Sequence, residues 1–142
     1  MYQEEYKRKL VSAEEAVKVV KSGDIVDYGF FNGKPVACDI ALAARKDELQ
    51  DVQIFSAVTI PPVPEVAKLR EHFTYVDWQF SKVSRILQSN YDLCYYSPIL
   101  YHQAPMLYRD GIAPHRNVAI CRVAPMDRYG YFNLGPHNSE TL

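Results

Sequence analysis

Few residue types in this chain stand at a spacing that a known chemistry requires. The four histidines, His72, His102, His115 and His137, lack the H-x₃₋₅-H spacing of a zinc site. The sequence has neither a G-x-S-x-G nucleophile elbow nor a phosphate-binding P-loop. We interpret the histidines as exposed or structural, and we assign no metal, no bound cofactor and no catalytic residue.

The three cysteines are the remaining candidates for nucleophilic chemistry. Cys38, Cys94 and Cys121 are far apart, odd in number and without a C-x-x-C pairing, and each lies in or beside an apolar run. Buried thiols in a reducing, cytoplasmic compartment are the simplest interpretation, because apolar surroundings raise the pKa of a thiol and lower its reactivity. A small thiol hydrolase that uses one of them stays open as an alternative.

Three loops that follow predicted strands are candidates for ligand binding. Residues 124–130 are rich in turn formers and lie between a compact apolar run at 117–123 and a second predicted strand at 131–135. Ligands of open α/β sheets bind beyond the ends of strands, in loops of this kind. On spacing alone, a hairpin at a sheet edge without a ligand is the simpler interpretation.

The other two loops lie nearer the N-terminus. Residues 29–33 lead into a helix that begins at Pro35, and backbone N–H groups at such a start can bind a phosphate or carboxylate, although the G-x-G-x-x-G fingerprint is absent. Residues 59–64 contain three prolines, which fix φ and remove backbone donors. We interpret that stretch as a rigid loop that shapes a pocket.

The elements between these loops alternate between strands and helices. Ser12 and Ser81 begin helices as N-caps, and Ala37, Ile40, Ala41 and Ala44 form the predicted sheet-facing side of the Pro35 helix. A further short helix spans 105–111. Strands are predicted at 25–29, 51–56, 73–78, 92–96 and 117–123. This order predicts an α/β fold, an open and mostly parallel sheet with helices on both faces.

Length, charge and composition indicate one soluble globular domain. The chain has 142 residues, 48% of them hydrophobic, and a formal net charge of -1. That charge gives no footprint for nucleic acid or for an anionic membrane, and no apolar stretch reaches the length of a membrane span. Residues 139–142 resemble the start of a helix capped by Ser139, so we expect the chain to be a fragment.

Several stretches resemble one protein family. They are YKRKLVSAEEAVKVVKSGDIVDYG, PVACDIALA, FTYVDWQFS and, most specifically, VAPMDRYGYFNLGPHNSE. The last carries a P-x-D-x-x-G-(x)₄-G pattern at Pro125, Asp127, Gly130 and Gly135. Over residues 6–142 the chain is similar to the N-terminal domain of the acetyl-CoA hydrolase/transferase family, which includes 4-hydroxybutyrate and butyrate–acetate CoA-transferases.

The resemblance implies a subunit of two related α/β halves, in a homo-oligomer, that moves coenzyme A between an acyl-CoA and a short-chain carboxylate. Coenzyme A is a substrate there, not a resident cofactor. The nucleophile is a glutamate of the C-terminal half, which forms a glutamyl-CoA thioester. Because that half is not part of these residues, the resemblance implies that this chain alone is inactive and needs the C-terminal half as its partner.

By the same resemblance, the chain supplies one wall of an interdomain cleft. Within the three loops, residues 29–33, 59–62 and 130–138 are expected to shape the acyl or carboxylate pocket and to offer backbone N–H groups. The predicted substrate-binding residues are Gly29, Asn32, Gly33, Thr59, Pro61, Gly130, Tyr131, Asn133, Gly135 and Asn138. A stand-alone ligand-binding or interaction module without catalysis is the alternative, and an exposed apolar face would favour the enzyme.

Overall fold

A computed structural model describes residues 2–135 and Ser139, and it contains one five-stranded parallel sheet. The strands are β1 Ile25–Phe30, β2 Val52–Ala57, β3 Phe73–Asp77, β4 Tyr95–Tyr96 and β5 Val118–Ala119, in the spatial order β4-β3-β2-β1-β5. All four neighbouring pairs are parallel. The predicted α/β fold is therefore confirmed.

Helices and short 3₁₀ turns connect the strands. The α-helices are α1 Tyr2–Lys9, α2 Ala13–Ala16, α3 Val36–Ala44, α4 Lys82–Tyr91 and α5 Ala104–Arg109. The 3₁₀ turns are Val17–Val19, Phe31–Gly33, Val66–Lys68 and Tyr101–Gln103. Within the described residues, no helix is both long and apolar enough to cross a membrane.

The sheet carries a hydrophobic cluster on each face. One cluster, the main core, joins alternate residues of the central strands, such as Val26, Ile54 and Tyr75, to Leu42 of α3 and Leu87 of α4. The other, the aromatic cluster, contains Phe30, Phe55 and Trp78 and is covered by Ala104 and Tyr108 of α5. Helices therefore lie on both faces, as the alternation of strands and helices predicts.

A change of register in β1 sends its last residue to the opposite face. Pairing with β2 shifts between Asp27 and Phe30, and Gly29 has φ +67°. Glycine adopts this left-handed conformation without a Cβ penalty. As a result Val26 lies in the main core, whereas Phe30 packs edge-on against Trp78 with ring centroids 6.3 Å apart.

The serine caps are confirmed. Ser12 accepts a hydrogen bond from the Glu15 N–H at 3.3 Å, and Ser81 forms a reciprocal capping box with Ser84. These side chains satisfy N–H groups that the helix itself cannot pair, so each helix begins where the sequence predicts.

The predicted sheet-facing side of α3 is wrong. Ala37 and Ala44 are exposed, Ile40 is 56% exposed, and the buried residues are Asp39, Ala41, Leu42 and Ala43. The helix is turned so that Asp39 points inward, where its carboxylate accepts hydrogen bonds from backbone N–H groups at residues 65 and 66. A polar anchor, rather than the apolar pattern, fixes the orientation of this helix.

The prediction of a buried strand at 117–123 and a second strand at 131–135 is also wrong. Only Val118–Ala119 pairs with β1, and Ala119 is exposed. Residues 131–135 are not a strand; two backbone hydrogen bonds, Ala124 N–H to Asn133 O at 2.8 Å and Asp127 N–H to Tyr131 O at 2.9 Å, close a loop instead. β5 stands at the edge of the described sheet, where Val118 and Ile120 pack against the main core but are only half-buried.

Candidate functional site

Three loops meet at the carboxyl edge of the sheet, because all the strands run in the same direction. They are the β1 loop (residues 31–35), the proline loop (residues 58–65) and the β5 loop (residues 120–135). The Arg122 N–H donates to the Gly33 carbonyl at 2.9 Å, which joins the β5 loop to the β1 loop. The Lys34 Nζ donates to the Ile60 carbonyl at 2.6 Å, which joins the β1 loop to the proline loop.

A small cleft lies between the β1 loop and the β5 loop. Its volume is about 190 Å³, and its walls include Asn32, Arg122, Asn133, Leu134 and Gly135. Three of the predicted residues thus come together, because Asn32 of the β1 loop faces Asn133 and Gly135 of the β5 loop across this cleft. An arginine beside amide side chains suits a carboxylate or a phosphate, since guanidinium and amide N–H groups both donate to such oxygens.

A larger cleft of about 450 Å³ opens beside β1 and β5. Among its lining residues are Asp27, Gly29, Tyr108, Arg116 and Cys121, so Gly29 lies on a different cleft from Asn32. The polar side chains that line this cleft form hydrogen bonds with one another. The Arg116 Nε lies 3.2 Å from the Asp27 carboxylate and its Nη2 donates to the Tyr108 hydroxyl at 2.9 Å.

Arg116 is also held by aromatic rings. Its guanidinium carbon lies 3.7 Å from the centroid of the Phe55 ring, and the Trp78 and Tyr108 rings are 5.5 and 5.0 Å away. Burial raises the pKa of Tyr108 well above its usual value, and the nearby Asp27 charge adds to this. The hydroxyl therefore remains protonated and available as a hydrogen-bond partner.

The proline loop begins at a buried carboxylate. Asp77, at the end of β3, is fully buried; its oxygens accept from the Val58 N–H at 2.9 Å, the Thr59 N–H at 3.1 Å and the Ser84 hydroxyl. The Thr59 hydroxyl is itself paired with the Tyr75 hydroxyl at 2.8 Å inside the core. The Thr59 side chain is thus a structural anchor, while Pro61 is exposed at the tip of the loop.

Of the remaining predicted residues, Gly130 lies beside α1. Gly130 has φ +95°, and a Cβ built there would stand 2.9 Å from the ring of Tyr2. Gly130 and Phe132 line a groove of about 470 Å³ together with Tyr2, Tyr6 and Leu10. Tyr131 is 73% exposed, and Asn138 lies outside the described residues.

Asp127 of the sequence pattern organises the β5 loop. Its carboxylate accepts from the backbone N–H groups of Tyr129 at 2.8 Å and Tyr131 at 2.9 Å. Its carbonyl accepts from Gln3 of α1 at 2.8 Å. The geometry gives this aspartate a turn-forming part, which explains why it stands three residues before a glycine with positive φ.

Sequence reasoning did not single out the buried charged residues at the site. These are Lys34, Asp39 and Asp77, together with the half-buried pair Asp27 and Arg116. One signal was available for Asp77, which is a polar residue in the last position of an apolar strand, where a side chain can reach the loops. Among the described residues, no group of three or more histidine, cysteine, aspartate and glutamate side chains is placed to hold a metal ion.

The sequence and the fold have counterparts in known proteins. The model of the acetyl-CoA hydrolase/transferase N-terminal domain matches residues 1–141. This chain belongs to that family. The predicted resemblance is therefore confirmed.

Curated relatives of the family are CoA-transferases. The chain is 42% identical to the butyryl-CoA:acetate CoA-transferase of Anaerostipes caccae, with 98% of this chain and 31% of the relative covered. It is 36% identical to the succinyl-CoA:cyclohexane-1-carboxylate CoA transferase of Geobacter metallireducens, over 99% of this chain and 32% of the relative. The chain thus spans about a third of the length of the relatives that it matches.

Solved structures share the fold. RipA from Yersinia pestis aligns with a TM-score of 0.81 at 27% identity, covering 94% of this chain and 33% of that protein. The 4-hydroxybutyrate CoA-transferase from Porphyromonas gingivalis aligns with a TM-score of 0.67 at 25% identity, covering 95% of this chain and 30% of that protein. In both, the matched region is again about a third of the whole.

Proposed function

We propose that this chain is the N-terminal part of a CoA-transferase that moves coenzyme A between an acyl-CoA and a short-chain carboxylate such as acetate, butyrate or 4-hydroxybutyrate. The observation that carries this proposal is the 42% identity, over 98% of the chain, to a butyryl-CoA:acetate CoA-transferase. Coenzyme A enters as a substrate, and the working enzyme is a cytoplasmic homo-oligomer whose C-terminal half is the partner of this domain.

In the proposed reaction, a glutamate of the C-terminal half attacks the thioester carbonyl and expels the CoA thiolate, which leaves a mixed anhydride. The thiolate then attacks the glutamyl carbonyl, releasing the first carboxylate and forming a glutamyl-CoA thioester. The incoming carboxylate reverses both steps. Nucleophilic catalysis of this kind replaces one difficult transfer by two easier ones.

The part of this chain is to form one wall of the substrate cleft. The small cleft between the β1 and β5 loops gathers Asn32, Asn133 and Gly135 beside Arg122, which are groups that can donate to a carboxylate. The proline loop supplies a rigid apolar wall at the same edge of the sheet. Gly29, Gly33, Thr59, Pro61, Gly130, Tyr131 and Asn138 belong to the same proposed wall through their loops.

The exposed apolar side chains support the proposal that this domain packs against a second part of the protein. They concentrate in the last third of the chain, as an uncovered interaction surface does. The most exposed of them in that third are Tyr95, Tyr96, Leu100, Ile112, Tyr129, Tyr131 and Phe132. Under this proposal the C-terminal half covers part of that surface, and the 142-residue chain alone is inactive.

Two alternatives have less support. A stand-alone binding module leaves the exposed apolar surface without a use. A thiol hydrolase requires a reactive cysteine, but Cys94 is buried and its pKa is raised to about 12, mainly by burial and then by the Asp77 charge. Burial also raises the pKa of the Cys38 thiol. Cys121 is exposed, so the prediction that all three thiols are buried is wrong for this residue.

The test is isotope exchange on the polypeptide that includes both halves. Incubation with butyryl-CoA and labelled acetate is expected to give labelled acetyl-CoA with ping-pong initial rates. With butyryl-CoA alone, mass spectrometry is expected to detect coenzyme A bound covalently to a glutamate. The 142-residue chain and a variant without Cys38, Cys94 and Cys121 are the controls. Exchange by this chain alone, or its loss in the cysteine-free variant, would contradict the proposal.

A further inference from the structure

The proline loop is held at three points by charged side chains that are themselves buried. Asp77 binds its first N–H groups, Asp39 accepts from the Glu65 N–H at 2.7 Å and the Val66 N–H at 3.5 Å at its far end, and Lys34 binds the middle. The exposed fractions are 0% for Asp77, 3% for Asp39 and 4% for Lys34. Charged groups are seldom buried so completely unless each one is paired.

Lys34 makes the contact that a proline-rich loop cannot make for itself. Pro61, Pro62 and Pro64 have no N–H, so the segment has few donors for its own carbonyl groups. The Lys34 Nζ donates to the carbonyls of Ile60 and Pro62, one on each side of Pro61. Lys34 therefore fixes the tip of the loop. Its hydrogen bonds have a charged donor, and such bonds are stronger than those between neutral groups.

Lys34 also couples this loop to the two others. It follows Gly33, whose carbonyl accepts from the Arg122 N–H of the β5 loop. Burial lowers the pKa of Lys34, while the nearby Asp39 charge opposes that effect. Burying an ammonium group is unfavourable, and a methionine of similar shape would fill the same space without that cost. The arrangement thus favours a defined loop position over maximal stability.

We infer that Lys34 is a positioning residue that holds the proline loop as a fixed wall of the acyl pocket and so sets which acyl chain lengths the enzyme accepts. This inference rests on the proposed function and deepens it. Lys34 itself is buried behind the loop, so it acts through residues 60–62 rather than on the substrate.

The first measurement is hydrogen exchange of residues 58–66 in the polypeptide that includes both halves. In Lys34→Met the exchange of this segment is expected to rise by about tenfold, because two charge-assisted hydrogen bonds are lost. The matched control is Lys68→Met, which removes an exposed lysine that lies just after the loop and pairs with Glu65 at 2.7 Å. The control is expected to leave exchange of the loop within about twofold of the wild type.

The second measurement is the ratio of kcat/KM for butyryl-CoA to that for acetyl-CoA. Because a ratio is independent of the amount of folded enzyme, a purely structural defect does not change it. Lys34→Met is expected to reduce the wild-type preference by about tenfold, mainly through KM of the preferred substrate. Lys34→Gln keeps one donor group, so its kcat/KM ratio is expected to lie between those of the wild type and Lys34→Met. It replaces Lys34→Met if that variant does not fold.

The outcomes separate this inference from the proposed function. Unchanged exchange of residues 58–66 in both Lys34 variants overturns the positioning role, and faster exchange with an unchanged ratio overturns the role in selectivity. A wild-type enzyme without any transfer activity contradicts the proposed function. In that case hydrogen exchange alone decides whether Lys34 positions the loop.

Discussion

The proline loop and the β5 loop lie at the same edge of the sheet but are held in different ways. Residues 58–65 are fixed by buried charges from three other elements, led by Asp77. Residues 120–135 are closed by their own backbone and by Asp127, whose carboxylate is exposed. The first loop is therefore preorganised by the core of this domain, whereas the second depends on local turn chemistry.

The largest effect is expected from replacing Asp77 of the core, and Asp127 of the β5 loop serves as the comparison. Asp77→Ala removes the acceptor of the Thr59 N–H and of the Ser84 hydroxyl, which are both buried, and is expected to lower the free energy of unfolding by about 4 kcal/mol. Asp127→Ala frees two N–H groups that water can reach, so we expect a loss below about 1 kcal/mol. Urea denaturation followed by the fluorescence of Trp78 measures both. Similar losses would show that burial does not distinguish the loops.

The sequence predicts the elements of the central sheet well. β1, β2 and β3 are short apolar runs between turn formers, and Ser12 and Ser81 are caps whose hydrogen bonds are local. Patterns of this kind depend on neighbours within a few residues, so the sequence carries them directly. The three candidate loops were placed for the same reason, since parallel strands bring their carboxyl ends to one edge.

The sequence does not show which distant backbone groups the buried charged side chains bind. Lys34 and Ile60, or Asp39 and Glu65, meet only once the sheet has assembled. The inward turn of Asp39 also decides the orientation of α3, against its apolar pattern. The β5 region was predicted as buried because its composition is apolar. Burial depends on what covers a strand, and local composition does not report that.

A second pair of variants compares two arginines that stack on aromatic rings. Arg116 lies over the ring of Phe55 and is 3.2 Å from the Asp27 carboxylate. Phe55 belongs to β2, the strand that leads into the proline loop. Arg116→Met is expected to cost about 2 kcal/mol, because both the ion pair and the stacking are largely shielded from water.

Arg128→Met is the control in the β5 loop. Arg128 stacks on Tyr129 at 4.6 Å, but both residues are exposed, so a loss below about 0.5 kcal/mol is expected. The same urea experiment applies. A larger loss for Arg128 than for Arg116 would reverse the ranking of the two regions.

A third pair tests how the β5 loop contacts α1. Gly130→Ala combines a positive φ with a Cβ only 2.9 Å from the Tyr2 ring, and we expect it to cost about 2 kcal/mol and to loosen α1. Gly135→Ala has a similar φ of +72° but open space around the added Cβ, so about 1 kcal/mol is expected. Hydrogen exchange of α1 separates them, since only the first change displaces Tyr2. Equal exchange in both variants would argue against that contact.

The smallest expected effect concerns the pH dependence of the proline loop. Burial raises the pKa of Asp39 above its ordinary value of 3.8, against hydrogen bonds from Glu65 and Val66 and the charge of Lys34. Between the ordinary and the raised value, the folded protein holds a proton that the unfolded chain has released. Stability from this residue therefore falls as pH rises through that window.

The comparison of wild type with Asp39→Asn isolates this contribution, because the other titrating groups largely cancel. We expect the difference in unfolding free energy, wild type minus variant, to be largest at the acid end of the window and to decline as the pH rises through it. A difference that grows with pH would place the folded pKa below 3.8. The backbone donors and Lys34 would then outweigh burial, and the far end of the proline loop would be held by a favourable carboxylate rather than by a costly one.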